Sequence, residues 1–358
     1  MKKWKIKLAC SLVFFIQIQL VLCAQDTKKE EFILHSKDGF DIAGEIEYPN
    51  RQGKFPTAIL IWGSGPQTRD QEISGSPMFK QIASFLNAKG MAVVRIDKRG
   101  CGKSTGSFKA EGSYTTRDLA NDISLVYSFV QKHKAVDISR IGLIGHSEGS
   151  IIASILGTEL PGLNWIIEFG PSAVPGDSIT AYQTRLNRLK LGMPSEVSNA
   201  IGKVWEKYFR FIKDGYQNDS AYYSIGREFL IAHGLEKDDK RITPAFIDQL
   251  LDGYKTPWNQ YFFNTDPASF LEKIKIPFLA VFGGDDMETS VNQNLIPMYS
   301  ALSKSGNKNY RIVILPDEDH FFLRYQDKQM TKHKFGEMKV SARLLNLFAD
   351  WFKTNRIL

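Results

Sequence analysis

A mainly parallel, doubly wound α/β sheet of eight strands with an inserted helical cap is the fold class the sequence predicts, and three observations predict it. Short apolar, β-branched runs recur along the chain at Phe32 to His35, Ile42 to Tyr48, Thr57 to Trp62, Met91 to Ile96, Arg140 to Gly145, Asn164 to Phe169, Pro277 to Phe282 and Arg311 to Leu315. From Thr57 onward these runs are separated by helical stretches such as Met78 to Lys89 and Thr116 to His133, the alternation that builds parallel sheets. Between Pro171 and Asp266 strand patterning stops and helical patterning takes over.

The first two runs flank Asp38-Gly39, a turn pair that predicts an antiparallel hairpin ahead of the parallel strands. In the insertion, expected at about 175–265, Val197, Ile201, Val204, Trp205, Tyr208 and Ile212 recur at three- and four-residue spacing and mark one helix face. A second helix opens at Thr243-Pro244, a capping residue followed by a first-turn proline, and stops at Gly253. The insertion is rich in aromatics (Trp205, Tyr208, Phe209, Tyr222, Tyr223, Trp258, Tyr261, Phe262, Phe263), most of which are expected to pack the insertion together. Trp258 and Phe262 are the candidates for contact with a substrate.

The 358 residues, 43% apolar and 24% charged, suit a chain that buries a substantial core. Its start is different in kind. Lys2, Lys3, Lys5 and Lys7 precede an apolar run from Leu8 to Leu22, and Cys23-Ala24-Gln25 follows, the pattern of a cleaved export signal over residues 1–24. The run is shorter than the roughly 20 residues of a bilayer-spanning helix, so no stable membrane span is expected after cleavage. A retained anchor and lipid attachment at Cys23 are the alternatives, the second disfavoured by the bulk of Leu22. A periplasmic or secreted location follows. Losing the segment lowers the net charge from +7 to about +3, which leaves no electrostatic case for a nucleic-acid partner. Of the three cysteines only Cys101 remains, so no intrachain disulfide is expected. It reads as a buried small residue.

The chemistry is concentrated at Gly145-His146-Ser147-Glu148-Gly149, which follows the apolar run Arg140 to Ile144 and leads into the helical Ser150 to Leu156. Strand, G-x-S-x-G, helix is a nucleophile elbow, where a sharp turn lifts the Ser147 hydroxyl over the sheet and points a helix N-terminus at it. A serine hydroxyl needs a base. Of six histidines, His35, His133 and His233 precede the expected acid, His146 should diverge from Ser147, and His333 lies in a polar stretch. His320, in the loop after the last strand, is the candidate base. The orienting carboxylate should follow an earlier strand, where Gly283-Gly284-Asp285-Asp286 offers two acids; position relative to Gly283 favours Asp286, with Asp285 as a turn residue. The oxyanion hole should take one N–H from Glu148 and one from Ser64 in the loop Gly63-Ser64-Gly65-Pro66. Gly100-Cys101-Gly102-Lys103-Ser104 imitates a phosphate loop, but Asp97 stands where its first glycine belongs, so nucleotide binding is rejected. Neither a paired-cysteine nor a His-Glu-x-x-His metal motif occurs, and no metal or organic cofactor is expected.

Taken together, Gly63 to Pro66 with Arg69-Asp70, Arg95-Ile96-Asp97-Lys98-Arg99-Gly100-Cys101-Gly102-Lys103-Ser104, the elbow, Thr256-Pro257-Trp258, Asp266-Pro267, Gly283 to Asp286 and Leu315-Pro316 before His320 resemble the α/β-hydrolases of the bacterial carboxylesterase, dienelactone-hydrolase-like and serine-aminopeptidase-like kind. The resemblance spans essentially the whole chain after the leader. It implies the α/β-hydrolase fold and places the acid at Asp286, the third residue after the strand-ending glycine. Two departures stand out: Trp62 occupies a position that is histidine in many relatives, and Met287-Glu288-Thr289-Ser290 is unusual after the acid. The implied chemistry is ester hydrolysis through an acyl-enzyme on Ser147. The alternatives are a peptidase or amidase for short peptides, with Glu148, Arg69 or Glu288 receiving a charged terminus, and a non-catalytic binding protein on the same fold.

Overall fold

The computed structural model describes residues 26–105, 113–325 and 338–358. The leader over 1–24, Cys23 and His333 lie outside the described residues. No helix among the described residues is long and apolar enough to cross a membrane.

The chain opens with the antiparallel pair β1 (Thr27–His35) and β2 (Asp41–Pro49), then enters the sheet centre with β3 (Phe55–Ile61). A short hairpin, β4 (Glu72–Ile73) and β5 (Ser76–Pro77), leads to α1 (Met78–Ala88). Next come β6 (Ala92–Ile96), α2 (Thr116–Val130), β7 (Val136–His146), α3 (Glu148–Gly157) and β8 (Trp165–Phe169). A run of helices follows: α4 (Gly176–Lys190), α5 (Ser195–Lys213), α6 (Asp219–Ala232), α7 (Pro244–Leu251) and α8 (Pro257–Asn264). The chain returns through α9 (Ala268–Leu271) to β9 (Phe278–Gly283), α10 (Val291–Ser305) and β10 (Tyr310–Leu315), and ends with the ribbon β11 (Leu323–Tyr325) and β12 (Met338–Val340) and with α11 (Ala342–Thr354).

Eight strands form one sheet in the order β1-β2-β6-β3-β7-β8-β9-β10. Only β2 runs against its neighbours, being antiparallel to both β1 and β6, while β6-β3-β7-β8-β9-β10 are parallel. The eight-stranded, mainly parallel sheet of an α/β-hydrolase fold is therefore present. Strands β3, β6, β8 and β9 are buried along their whole length, as expected where helices cover both faces. That is why they read as continuous apolar runs. Strand β1 starts five residues before the expected Phe32, because its first half, at the sheet edge, is the charged run Lys28 to Glu31 and carries no apolar signal.

Helix α5 buries Ile201, Val204, Trp205, Tyr208 and Ile212, but Val197 is exposed, so the predicted face begins one turn later. Thr243 caps α7 by accepting from Phe246 N, with Pro244 in the first turn. Cys101 is half-buried in its loop rather than buried.

Candidate active site

The local fold around Ser147 is dictated by sterics. Ser147 adopts φ 55° and ψ −120°, a conformation that side-chain-bearing residues avoid and that surrounding structure must enforce. The enforcement comes from packing so close that only glycine fits on either side. A Cβ on Gly145 would lie 2.3 Å from the Gly149 carbonyl oxygen, and one on Gly149 would lie 2.2 Å from that of Ile61. The turn thus draws β7, α3 and β3 together and leaves Ser147 at the carboxyl edge of the sheet, at the N-terminus of α3.

The other two candidates reach the same edge from later strands. Asp286 follows β9 and His320 follows β10, and Asp286 Oδ2 lies 2.8 Å from His320 Nδ1. Asp285 points elsewhere: its side chain is exposed, and its backbone N–H donates to the Glu318 carbonyl. The segment after the acid forms a cradle for it. Asp286 Oδ1 accepts from the backbone N–H groups of Glu288 (2.7 Å) and Thr289 (2.8 Å), and Oδ2 accepts from the Thr289 hydroxyl (2.8 Å). These bonds consume the lone pairs not turned to the imidazole and fix the carboxylate's plane.

The electrostatics follow from burial and pairing. Burial alone would push the His320 imidazole down, but the Asp286 carboxylate beside it outweighs this and holds it above its ordinary value. Burial would likewise raise the Asp286 carboxyl, and the imidazole with the Thr289 donors holds it below the usual carboxylate range. With Nδ1 donating to Asp286, Nε2 is the nitrogen left to accept a proton. Ser147 and His320 line one cavity of about 280 Å³. No hydrogen bond joins the Ser147 hydroxyl to the His320 ring in this conformation, a contact that in many enzymes tightens only as substrate binds.

The loop after β3 faces the elbow. A Cβ on Gly63 would lie 3.1 Å from that of Ser147, and Ser64 and Glu148 both line the cavity. Neither the Ser64 nor the Glu148 backbone N–H has an acceptor among the described residues. Two buried side chains that sequence reasoning passed over hold this loop. Gln71 accepts from Gly63 N–H (3.2 Å) and donates to His146 Nδ1 (2.6 Å), while His146 Nε2 donates to the His320 carbonyl (2.9 Å). Burial, with His320 beside it, pushes His146 down to about 3, so its ring is neutral. His146 therefore links the His320 backbone to the loop rather than acting as a base. Lys98 is the second, with its ammonium on the Gly63 and Gly65 carbonyls and on Glu148. No periodicity reveals such partners; Thr289 alone had a local signal, a hydroxyl three residues after an aspartate.

The helical insertion supplies one wall of the cavity. Thr256 caps α8 and Pro257 occupies its first turn, which sets Trp258 and Phe262 one helical turn apart on a shared face, their rings stacked 4.9 Å apart. Both line the cavity, together with Ile73, Ile151 and Ile179. Most of the other insertion aromatics pack among themselves, as Trp205 does with Tyr208, Phe209, Phe229 and Tyr254. Arg69 is spent on Asp97 (2.8 Å) and Glu31 (3.3 Å). A larger groove of about 940 Å³ between α4 and α5 contains none of Ser147, Asp286 and His320.

Comparison with known proteins places the fold and the family. The chain is 24% identical over 312 residues to esterase EstD of Thermotoga maritima, an alignment that covers 87% of this chain and 65% of that protein, so it spans about two thirds of that relative's length. Its fold is similar to the Pyrococcus furiosus esterase Pf2001, at a TM-score of 0.55 and 16% identity over 91% of each chain. It is also similar to the alpha/beta hydrolase GrgF from a Penicillium species, at a TM-score of 0.53 and 15% identity over 91% of this chain and 98% of that one. Residues 73–317, well over half of the chain, match the family described as Serine aminopeptidase, S33, and the chain belongs to that family of α/β-hydrolases.

Proposed function

We propose that this chain is an exported serine carboxylesterase acting on esters of small acyl groups, with Ser147 as nucleophile, His320 as general base and Asp286 as the acid that orients it. The observation that carries this reading is one small cavity lined by a strained Ser147, by His320 with the buried Asp286 paired to its Nδ1, and by Ser64 and Glu148, whose backbone N–H groups have no acceptor among the described residues. In this reaction Ser147 Oγ adds to the ester carbonyl carbon while its proton passes to His320 Nε2. The carbonyl oxygen, now anionic, is met by the N–H groups of Ser64 and Glu148. Collapse breaks the carbon–oxygen bond to the alcohol, which leaves with the proton from His320. Water repeats the sequence on the acyl-enzyme and releases the acid.

Ester rather than amide preference is supported by the apolar wall of Ile73, Ile151, Ile179, Trp258 and Phe262, by the esterase EstD relative, and by the fate of the charges that could bind a peptide terminus. Arg69 and Glu148 are both committed to internal ion pairs. Glu288 favours the second reading, an aminopeptidase: it lines the cavity and has no ion-pair partner among the described residues, so a substrate ammonium could meet it. Export rests on the leader pattern from Lys2 to Ala24.

Purified protein should be labelled at Ser147 by a fluorophosphonate and should hydrolyse p-nitrophenyl acetate and butyrate. Turnover of aminoacyl p-nitroanilides with none of the esters would replace the esterase by the aminopeptidase. A folded protein that neither reacts nor takes the label would be a binding protein. N-terminal sequencing of the product from an expressing bacterium should begin at Gln25, and the product should be released with the periplasmic or medium fraction; an intact N-terminus on protein that stays in the cytoplasmic fraction would overturn export.

A further inference from the structure

We propose that Lys98 is the positioning residue of the oxyanion hole, its buried ammonium turning the Ser64 N–H toward the nucleophile and tying that donor to the Glu148 carboxylate and, through it, to Trp258 of the helical insertion. This rests on the Ser147 acyl-transfer reading above and adds to it a residue outside the triad. Lys98 and Glu148 are both fully buried, with Lys98 Nζ 3.2 Å from Glu148 Oε2. A charge in such a place is retained only if its donors are satisfied, and an ammonium has three. The three acceptors are Glu148 Oε2, the Gly63 carbonyl at 3.3 Å and the Gly65 carbonyl at 3.1 Å. Beneath them the Trp62 ring lies 5.2 Å from the ammonium and anchors its own indole N–H on the Ile96 carbonyl at 2.8 Å. Trp62 thus has a role where many relatives have histidine.

The consequence is geometric. In a trans peptide the C=O of one residue and the N–H of the next point in opposite directions. Fixing the Gly63 carbonyl on Lys98 therefore aims the Ser64 N–H away from Lys98. Gln71 holds the preceding peptide through Gly63 N–H, so the loop cannot relax by turning both planes together. The other donor, Glu148 N–H, belongs to the residue whose carboxylate Lys98 grips. Glu148 Oε1 accepts from the Thr116 hydroxyl at 2.8 Å and from the Trp258 indole at 2.8 Å, so the same carboxylate joins the start of α2 and the insertion to the hole. One buried cation thus holds the peptide that carries the first donor and the side chain of the residue that carries the second, and the insertion is joined to the same carboxylate.

The test is Lys98→Met beside Glu148→Gln, with Lys98→Met chosen for its similar length and lack of charge. Removing an oriented donor costs about 100-fold in rate, so kcat for p-nitrophenyl butyrate should fall about 100-fold in Lys98→Met and about tenfold in Glu148→Gln, with KM within about threefold of the wild type. Affinity for a short-chain trifluoromethyl ketone, which adds to the serine and places an oxyanion in the hole, should fall in parallel with kcat. Affinity for the matching methyl ketone should not. A folded Lys98→Met with wild-type kcat, or one that weakens both ketones equally, overturns the proposal. If Lys98→Met does not fold, Glu148→Gln decides by the same two readouts, and an unchanged kcat there overturns it as well. Wild-type protein that resists a fluorophosphonate at Ser147 brings down the acyl-transfer reading and this inference together, whereas labelled wild type beside an unimpaired variant removes the inference alone.

Discussion

The two walls of the candidate active site are held in place by different physics. On one side the elbow is fixed by sterics: Ser147 is forced to φ 55° between glycines that admit no side chain. On the other, the loop from Gly63 to Gln71 has its carbonyls and one N–H tied by Lys98, Gln71 and, through Gln71, His146. The first wall is sensitive above all to volume, although the Glu148 carboxylate at its end is held by Lys98. The second is sensitive to charge, hydrogen bonding and pH, because each polar group in it is buried and loses its partner if one member changes.

That contrast sets an order of effects. Ser147→Gly should abolish ester turnover, a loss of at least about 10⁴-fold, yet raise Tm by about 1–3 °C, because glycine accepts the conformation that serine is forced into. A lower Tm by calorimetry would mean that the elbow stores no strain.

Asp286→Asn should lower kcat by about 10³- to 10⁴-fold with little change in KM, since the imidazole loses the partner that fixes its tautomer. The same variant sharpens the pH dependence. As the proposed base, His320 would work only when neutral, and it is held above its ordinary value, so wild-type kcat/KM should rise with pH through an apparent pKa above the usual 6.5. In Asp286→Asn the residual activity should rise through a lower one. A profile whose midpoint does not move would sever the link between the two residues.

Gln71→Leu leaves the Gly63 N–H and His146 Nδ1 without partners, which should cost about 1–3 kcal/mol in stability by chemical denaturation and about tenfold in kcat. If stability drops while kcat does not, the charge-sensitive wall is a scaffold and not part of the catalytic geometry.

The last contrast is in stability against pH. His146 titrates near 6.5 in the unfolded chain and is pushed down to about 3 in the fold. Its contribution is therefore complete above pH 6.5 and is lost as pH falls from there toward about 3, at up to about 1.4 kcal/mol per pH unit. His320 has the opposite sign: raised in the fold, it stabilises below the ordinary value and ceases to as pH rises through the folded one. Between pH 6.5 and 5, His146→Gln should lose Tm less steeply than the wild type. Parallel curves would show that His146 is not buried and neutral.

Legibility in the sequence follows the same division. The elbow could be read because its requirement is local, two glycines around a serine between an apolar strand and a helix. The hairpin could be read from its Asp38-Gly39 turn, the parallel strands from the continuous apolar runs that full burial requires, α5 from its 3.6-residue period and α7 from its Thr243-Pro244 start, whereas α4, α6 and α8 were not told apart within the insertion. The misses have the same origin in reverse. The first half of β1 is charged because it lies at an edge, and Val197 fits the helical period but sits past the end of the contact.

What the sequence determined by itself was the order of the strands along the chain, the turn that raises Ser147, and a short set of acids and histidines placed after the right strands. Only the tertiary structure decided which of two adjacent aspartates meets the imidazole, that His146 bridges to the His320 backbone, and that Lys98 sits beneath the loop facing the nucleophile. The reason is physical: sterics and hydrophobic burial act on neighbours along the chain and leave a pattern there. A buried polar contact joins residues tens or hundreds of positions apart, and its partner is chosen only when the folded backbone brings the two within three ångströms or so of each other.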